Sequence, residues 1–110
     1  MIWIAAALLA TASPAEPPPP PAVVAALDAW GTCINDGVHS VDRALSPDRA
    51  AQIVLDRCAP QQAALLAEHA RWIDSSGLPE REKDRARRVM TESLVSLRRQ
   101  VARGIRRMRD

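Results

Sequence analysis

CINDGVHSVDRALSPDRAAQIVLDRC, residues 33–58, is bounded by Cys33 and Cys58, the chain's two cysteines. Their midpoint falls between Leu45 and Ser46, where Ser-Pro-Asp announces a helix start. Ser46 suits an N-cap, Pro47 the first helical position, and Asp48 the positive end of the helix dipole. In an antiparallel hairpin, residues equidistant from the turn face each other, so both sulfurs belong on facing surfaces. A bridge there would close a loop of 26 residues, worth about 3–3.5 kcal/mol in the chain-entropy model. The other uses of cysteine fit less well. A thioredoxin-like site wants C-x-x-C beside a β-α-β pattern, a structural zinc wants four ligands, and a catalytic thiol wants a neighbouring base. The pair Cys33–Cys58 is therefore expected to be a disulfide.

Apolar residues outside this stretch extend its two arms and add a third. Val23, Leu27, Trp30, Ile34, Val38, Val41 and Leu45 recur every three or four residues, which is one stripe of a helix. Gly31 and Gly37 weaken that helix unless they let a neighbour approach closely. Ala51, Val54, Leu55, Cys58, Gln62, Leu65, His69, Trp72 and Ile73 mark a second stripe, with Pro60 expected to kink or briefly break it just after Cys58. Gly77 is a C-cap candidate. Ala86, Met90, Leu94, Leu97, Val101, Ile105 and Met108 form the third. The expected fold is all-α: an antiparallel three-helix bundle with helices at about 22–45, 47–75 and 79–108, the first two forming a stapled hairpin. With three Thr, no Phe and no Tyr, strands have little support.

The first fifteen residues, MIWIAAALLATASPA, resemble an export signal. An apolar run from Ile2 to Ala12 ends in small residues, with cleavage expected after Ala12 or Ala15. The run is only about half of the roughly 20 residues a membrane-spanning helix needs. Residues 16–21 then read as a proline-rich linker, polyproline II in character, and 22–110 as the helical domain. The expected location is periplasmic or secreted, where a disulfide persists.

Charge is unevenly spread. Residues 16–79 carry four Arg against eight acids, and residues 80–110 carry eleven Lys and Arg against five acids, giving the net +2 of the whole chain. Glu82 with Arg85, Asp84 with Arg87 and Arg88, and Arg88 with Glu92 have the spacing of helix ion pairs. Further on, Arg98, Arg99, Arg103, Arg106, Arg107 and Arg109 have only Asp110 within sequence reach, and the first five are the candidate anion-binding residues. At about 100° per residue, Arg99, Arg103 and Arg106 lie beyond about 130° from Val101, while Leu97, Ile105 and Met108 lie within about 40°. This pattern is a basic amphipathic helix, suited to an anionic membrane surface or an acidic protein. The same arginines also suit a helix C-terminus and could reach Asp28, Asp36 or Asp42. A homodimer through the third helix is a further option. Nucleic acid is not an expected partner, since no fold signature for it is present.

Catalysis is not expected. Acids are scattered singly, and neither a nucleophile–base order, a metal-ligand cluster nor a phosphate-cradling glycine loop is apparent. No cofactor or metal is expected; His39 and His69 lie far apart along the arms. Leu45 to Arg49, LSPDR, resembles over five residues the L-T-x-x-Q motif of small helical periplasmic chaperones and metal-stress regulators, without its glutamine. That resemblance implies a chaperone- or stress-type role but assigns no family. The leading expectation is a small exported binding protein. A membrane-surface-active protein using its basic C-terminal helix is the first alternative.

Overall fold

The computed structural model describes residues 18–110, and within them every regular element is a helix. The expected signal segment and the first two linker residues lie outside the described residues. Five helices follow in order: α1 (Pro21–Ser40), α2 (Pro47–Arg57), α3 (Ala59–Ser75), α4 (Glu80–Val95) and α5 (Leu97–Arg109). Three helices were expected, the second with a kink or short break just after Cys58; the second and third are each divided in two.

The hairpin stands as its spacing implied. Cys33 and Cys58 form a disulfide with Cα atoms 5.9 Å apart. The same register holds one turn away, where Gly37 faces Val54. A Cβ built on Gly37 would lie 2.8 Å from a Val54 methyl, so α1 and α2 approach as closely as a bare backbone permits. A further turn along, Val41 and Ala50 are both buried. Trp30 and Gln61 share this register too. The indole Nε1 and the amide Oε1, a donor and an acceptor, are buried there without hydrogen-bond partners.

Each departure from the expected helices has a local cause. α1 stops at Ser40 rather than Leu45 because Val41 turns extended and the Asp42 carboxylate accepts from the Ala44 N–H at 2.9 Å, an Asx turn that competes with the helix. Ser46 caps α2 as its sequence predicted, accepting from the Arg49 N–H at 3.2 Å. Pro60 lacks the N–H that Asp56 would receive, and the chain breaks at Cys58, as expected. α3 ends on Ser76 in an extended conformation, its hydroxyl donating to Ile73 O at 2.6 Å. Gly77 therefore does not act as a left-handed cap; no described glycine has positive φ. The break at Ser96 was not anticipated. Thr91, Ser93 and Ser96 donate their hydroxyls back to carbonyls three or four residues earlier, a competition that bends helices.

The core is built from small side chains. Val41, Ala50, Ala51, Val54, Cys58, Ala102 and Ile105 form one buried cluster, with Trp30, Ile34, Val38 and Val101 packed half-buried around it. α5 docks antiparallel to α2. Its last residues reach the start of α2, where the Arg109 guanidinium donates to Leu45 O at 2.6 Å and Asp42 O at 3.3 Å. Its first residues, Leu97 and Arg98, border Leu55 and Asp56 at the other end of α2. α4 contributes no buried residue. The third helix of the expected bundle was to pack along the hairpin; of its two parts, α5 enters the core and α4 does not. α4 is held to α3 near their turn, where Arg87 pairs with Asp74 at 2.6 Å and Asp84 at 2.8 Å, and Lys83 donates to Asp74 O. Of the helix ion pairs expected from spacing, Asp84–Arg87 is present; Arg87 adds the cross-turn bond to Asp74.

The two glycines of α1 are expected to respond in opposite directions to alanine. Gly37→Ala forces a methyl onto fully buried Val54 and should cost about 1–3 kcal/mol. Gly31→Ala meets nothing within 4 Å and should be neutral or stabilising by up to about 1 kcal/mol. Urea denaturation of the two variants, with the disulfide intact, checks this.

Candidate functional site

The five arginines singled out in the sequence all lie on α5 and are all exposed, and none has an ion-pair partner among the described residues. Arg98 stands apart. It lines a groove with Gln52 and Asp56, between α2 and the α4–α5 junction. Arg99, Arg103, Arg106 and Arg107 share the outward side, a ridge about 12 Å long at 1.5 Å per residue. Ala102 and Ile105, 3% and 2% exposed, are instead buried in the core. Arg109, grouped with the others by sequence, has a different task, since its bonds to Leu45 and Asp42 carbonyls tie α5 to the hairpin turn. The Leu45 carbonyl lies in the turn created by the early stop of α1, where the Asp42 carbonyl also accepts from the Leu45 N–H, and the sequence periodicity did not reveal that stop.

A groove of about 310 Å³ runs between α1 and α5. Trp30, Ile34 and Val38 form one wall, and Val101, Gly104 and Met108 the other, with Asn35 the one polar side chain on its lining. Gly31 and Gly104 face open space, with nothing within 4 Å of a Cβ built on either. On the α1 side the apolar surface continues past the groove through Leu27, 49% exposed, and Val24. Sequence reasoning missed this groove. Gly104 was the available signal, an unfilled position among the apolar residues of α5.

A wider groove of about 900 Å³ lies between α3 and α4, lined by Trp72, Ile73, Leu78, Ala86 and Val89 with His69, Glu82 and Arg85 at its polar positions. The two histidines are far apart. His39 lies on Asn35 O at 2.7 Å, and His69 meets the Trp72 ring edge-on with centroids 6.1 Å apart. Among the described residues no three of His, Cys, Asp and Glu converge as metal ligands, and no helix is long and apolar enough to cross a membrane.

Burial lowers the pKa of His69 below its ordinary value, because desolvation disfavours the imidazolium. The unfolded chain then binds a proton more readily than the folded one. The contribution of His69 is full above its unfolded pKa near 6.5 and is lost as pH falls below it. The stability of the wild type against urea should fall between pH 7 and pH 5 more than that of His69→Gln, and equal slopes would exclude the effect. Compared with family models, with curated proteins and with solved structures, the chain has no match.

Proposed function

We propose that this is an exported, disulfide-stapled helical protein that acts by binding, and that the arginine ridge of α5 is its contact with an anionic surface. The observation that carries this reading is the division of labour on one helix. Arg99, Arg103, Arg106 and Arg107 face solvent without ionic partners among the described residues, while Ala102 and Ile105 are committed to the core. Four cations on a docked helix are held in place before any ligand arrives, which spares the ordering cost of a flexible basic tail. Export is supported by the Cys33–Cys58 bridge, since such bonds persist in oxidising compartments and are reduced in the cytosol.

The docked α5 favours electrostatic association over insertion. Inserting its apolar side into lipid would remove Ala102 and Ile105 from the cluster around Val54 and dismantle part of the core. A surface lipid charge near each arginine contributes about 1 kcal/mol, falling off within a Debye length.

Two measurements test the reading. Intact mass of the native protein from fractionated cells is expected to show a chain beginning at Ser13 or Glu16, two hydrogens lighter than the dithiol. A full-length cytosolic chain with free thiols would overturn export. In co-sedimentation, the protein is expected to associate with phosphatidylglycerol vesicles at low salt, not with phosphatidylcholine vesicles, and to be released near 1 M salt, where the Debye length is about 3 Å. The variant R99Q/R103Q/R106Q/R107Q should lose about a hundredfold or more in partitioning. Binding indifferent to salt and to these four substitutions would refute the ridge.

A further inference from the structure

We infer that the α1–α5 groove holds one acyl chain of a single-chain anionic lipid, with its headgroup on Arg103 and Arg107. For the headgroup contact this rests on the reading of α5 as an anion-facing helix; the groove itself stands independently of it.

The shape of the groove selects the occupant. Gly31 to Val38 spans seven residues of helix, or about 10 Å, so a volume of about 310 Å³ leaves a cross-section of about 30 Å². A single hydrocarbon chain fits within that section, whereas a helix, about 10–12 Å across with its side chains, could lay only one edge in it. The apolar strip along α1, from Val24 through Leu27 and Ile34 to Val38, is about 21 Å long. One leaflet's share of a bilayer's hydrocarbon is about 15 Å, so the strip can accommodate a full chain. Nearly all of the groove's exposed lining is carbon, and burying it against a chain removes that surface from water.

The charges around the groove select the headgroup. Arg107 follows Gly104 by three residues and Arg103 precedes Arg107 by four, so both flank the groove wall on the surface of α5. Both are exposed and neither is paired among the described residues. Asp28 lies at the opposite end, beside Leu27. An anionic headgroup on Arg103 and Arg107 lies away from Asp28, with the chain running towards Leu27. Of the acids near these arginines, Asp42 is occupied with the Ala44 N–H, and Asp110 makes no ion pair with Arg107. Arginine suits this role through its planar donor fork, which matches a phosphate.

The test uses lysophosphatidylglycerol and lysophosphatidylcholine as monomers, below their micellar concentrations, followed by ¹H–¹⁵N spectra of the full described chain. Saturable shifts are expected at the Trp30 indole and at the Gly31 and Gly104 amides, with the Trp72 indole unmoved. The phosphatidylglycerol form should bind about tenfold more tightly than the choline form, and R103Q/R107Q should erase that preference. Gly104→Leu, and separately Gly31→Leu from the other wall, fill the groove where there is room for a side chain and should abolish binding of both lipids. Each variant's fold is checked by its thermal transition. Unchanged monomer binding in both groove-filled variants, or shifts centred on Trp72, would overturn the proposal. Vesicle association that survives Gly104→Leu while monomer binding disappears supports groove and ridge together. Vesicle association without any monomer binding sinks the groove alone, and monomer binding without vesicle association sinks the ridge alone.

Discussion

At Gly37 the two arms of the hairpin come so close that one methyl group would collide with Val54. This contact sets the level at which everything else in the core meets. The pairs 33–58, 37–54 and 41–50 are successive turns of one register, and the disulfide closes it at one end. A chain with no Phe or Tyr cannot fill a wide gap between helices. It reaches native packing density by bringing backbones together around Ala and Val, and small residues make that approach feasible. Sliding either arm by a turn would place a larger side chain opposite Val54 and separate the sulfurs.

α5 has three sides, each with a different assignment. Ala102 and Ile105 seal the hairpin's core, Val101, Gly104 and Met108 wall the groove beside α1, and the arginines face water. The break at Ser96 makes this arrangement feasible. A straight helix from Glu80 to Arg109 would hold α4 and α5 on one axis. The break lets α5 follow α2 while α4 leans on α3 through Arg87, Asp74 and Lys83. Val95, next to the break and 76% exposed, shows how little of this junction is packed.

Helix type, the stapled hairpin and its turn were legible in the sequence because each rests on local chemistry. Ser46-Pro47 is a cap wherever it occurs, and Pro60 interrupts a helix by lacking an N–H. The break at Ser96 was harder to see because its cause is cumulative. No one hydroxyl ends a helix, but Thr91, Ser93 and Ser96 together compete for its carbonyls. The exposure of α5's arginines followed from periodicity, but the separation of Arg98 and Arg109 from the ridge did not. Both depend on α2 and on the turn before it, which are distant in sequence. The groove was invisible for the same reason. Its walls come from residues 30–38 and 101–108, and Gly104, the one signal within either segment, does not reveal which surface it faces.

The order of residues along the chain also separates two moments of assembly. Cys58 follows Cys33 by 25 positions, whereas Ala102 follows Cys58 by 44. If the protein is exported as proposed, a chain crossing a membrane amino end first would present both sulfurs to oxidant before α5 has emerged. The hairpin would then be locked in register while Val54 still lacks its cover from Ala102 and Ile105. The bond would serve as a placeholder for the missing helix, keeping the half-built core from opening until the rest of that core arrives.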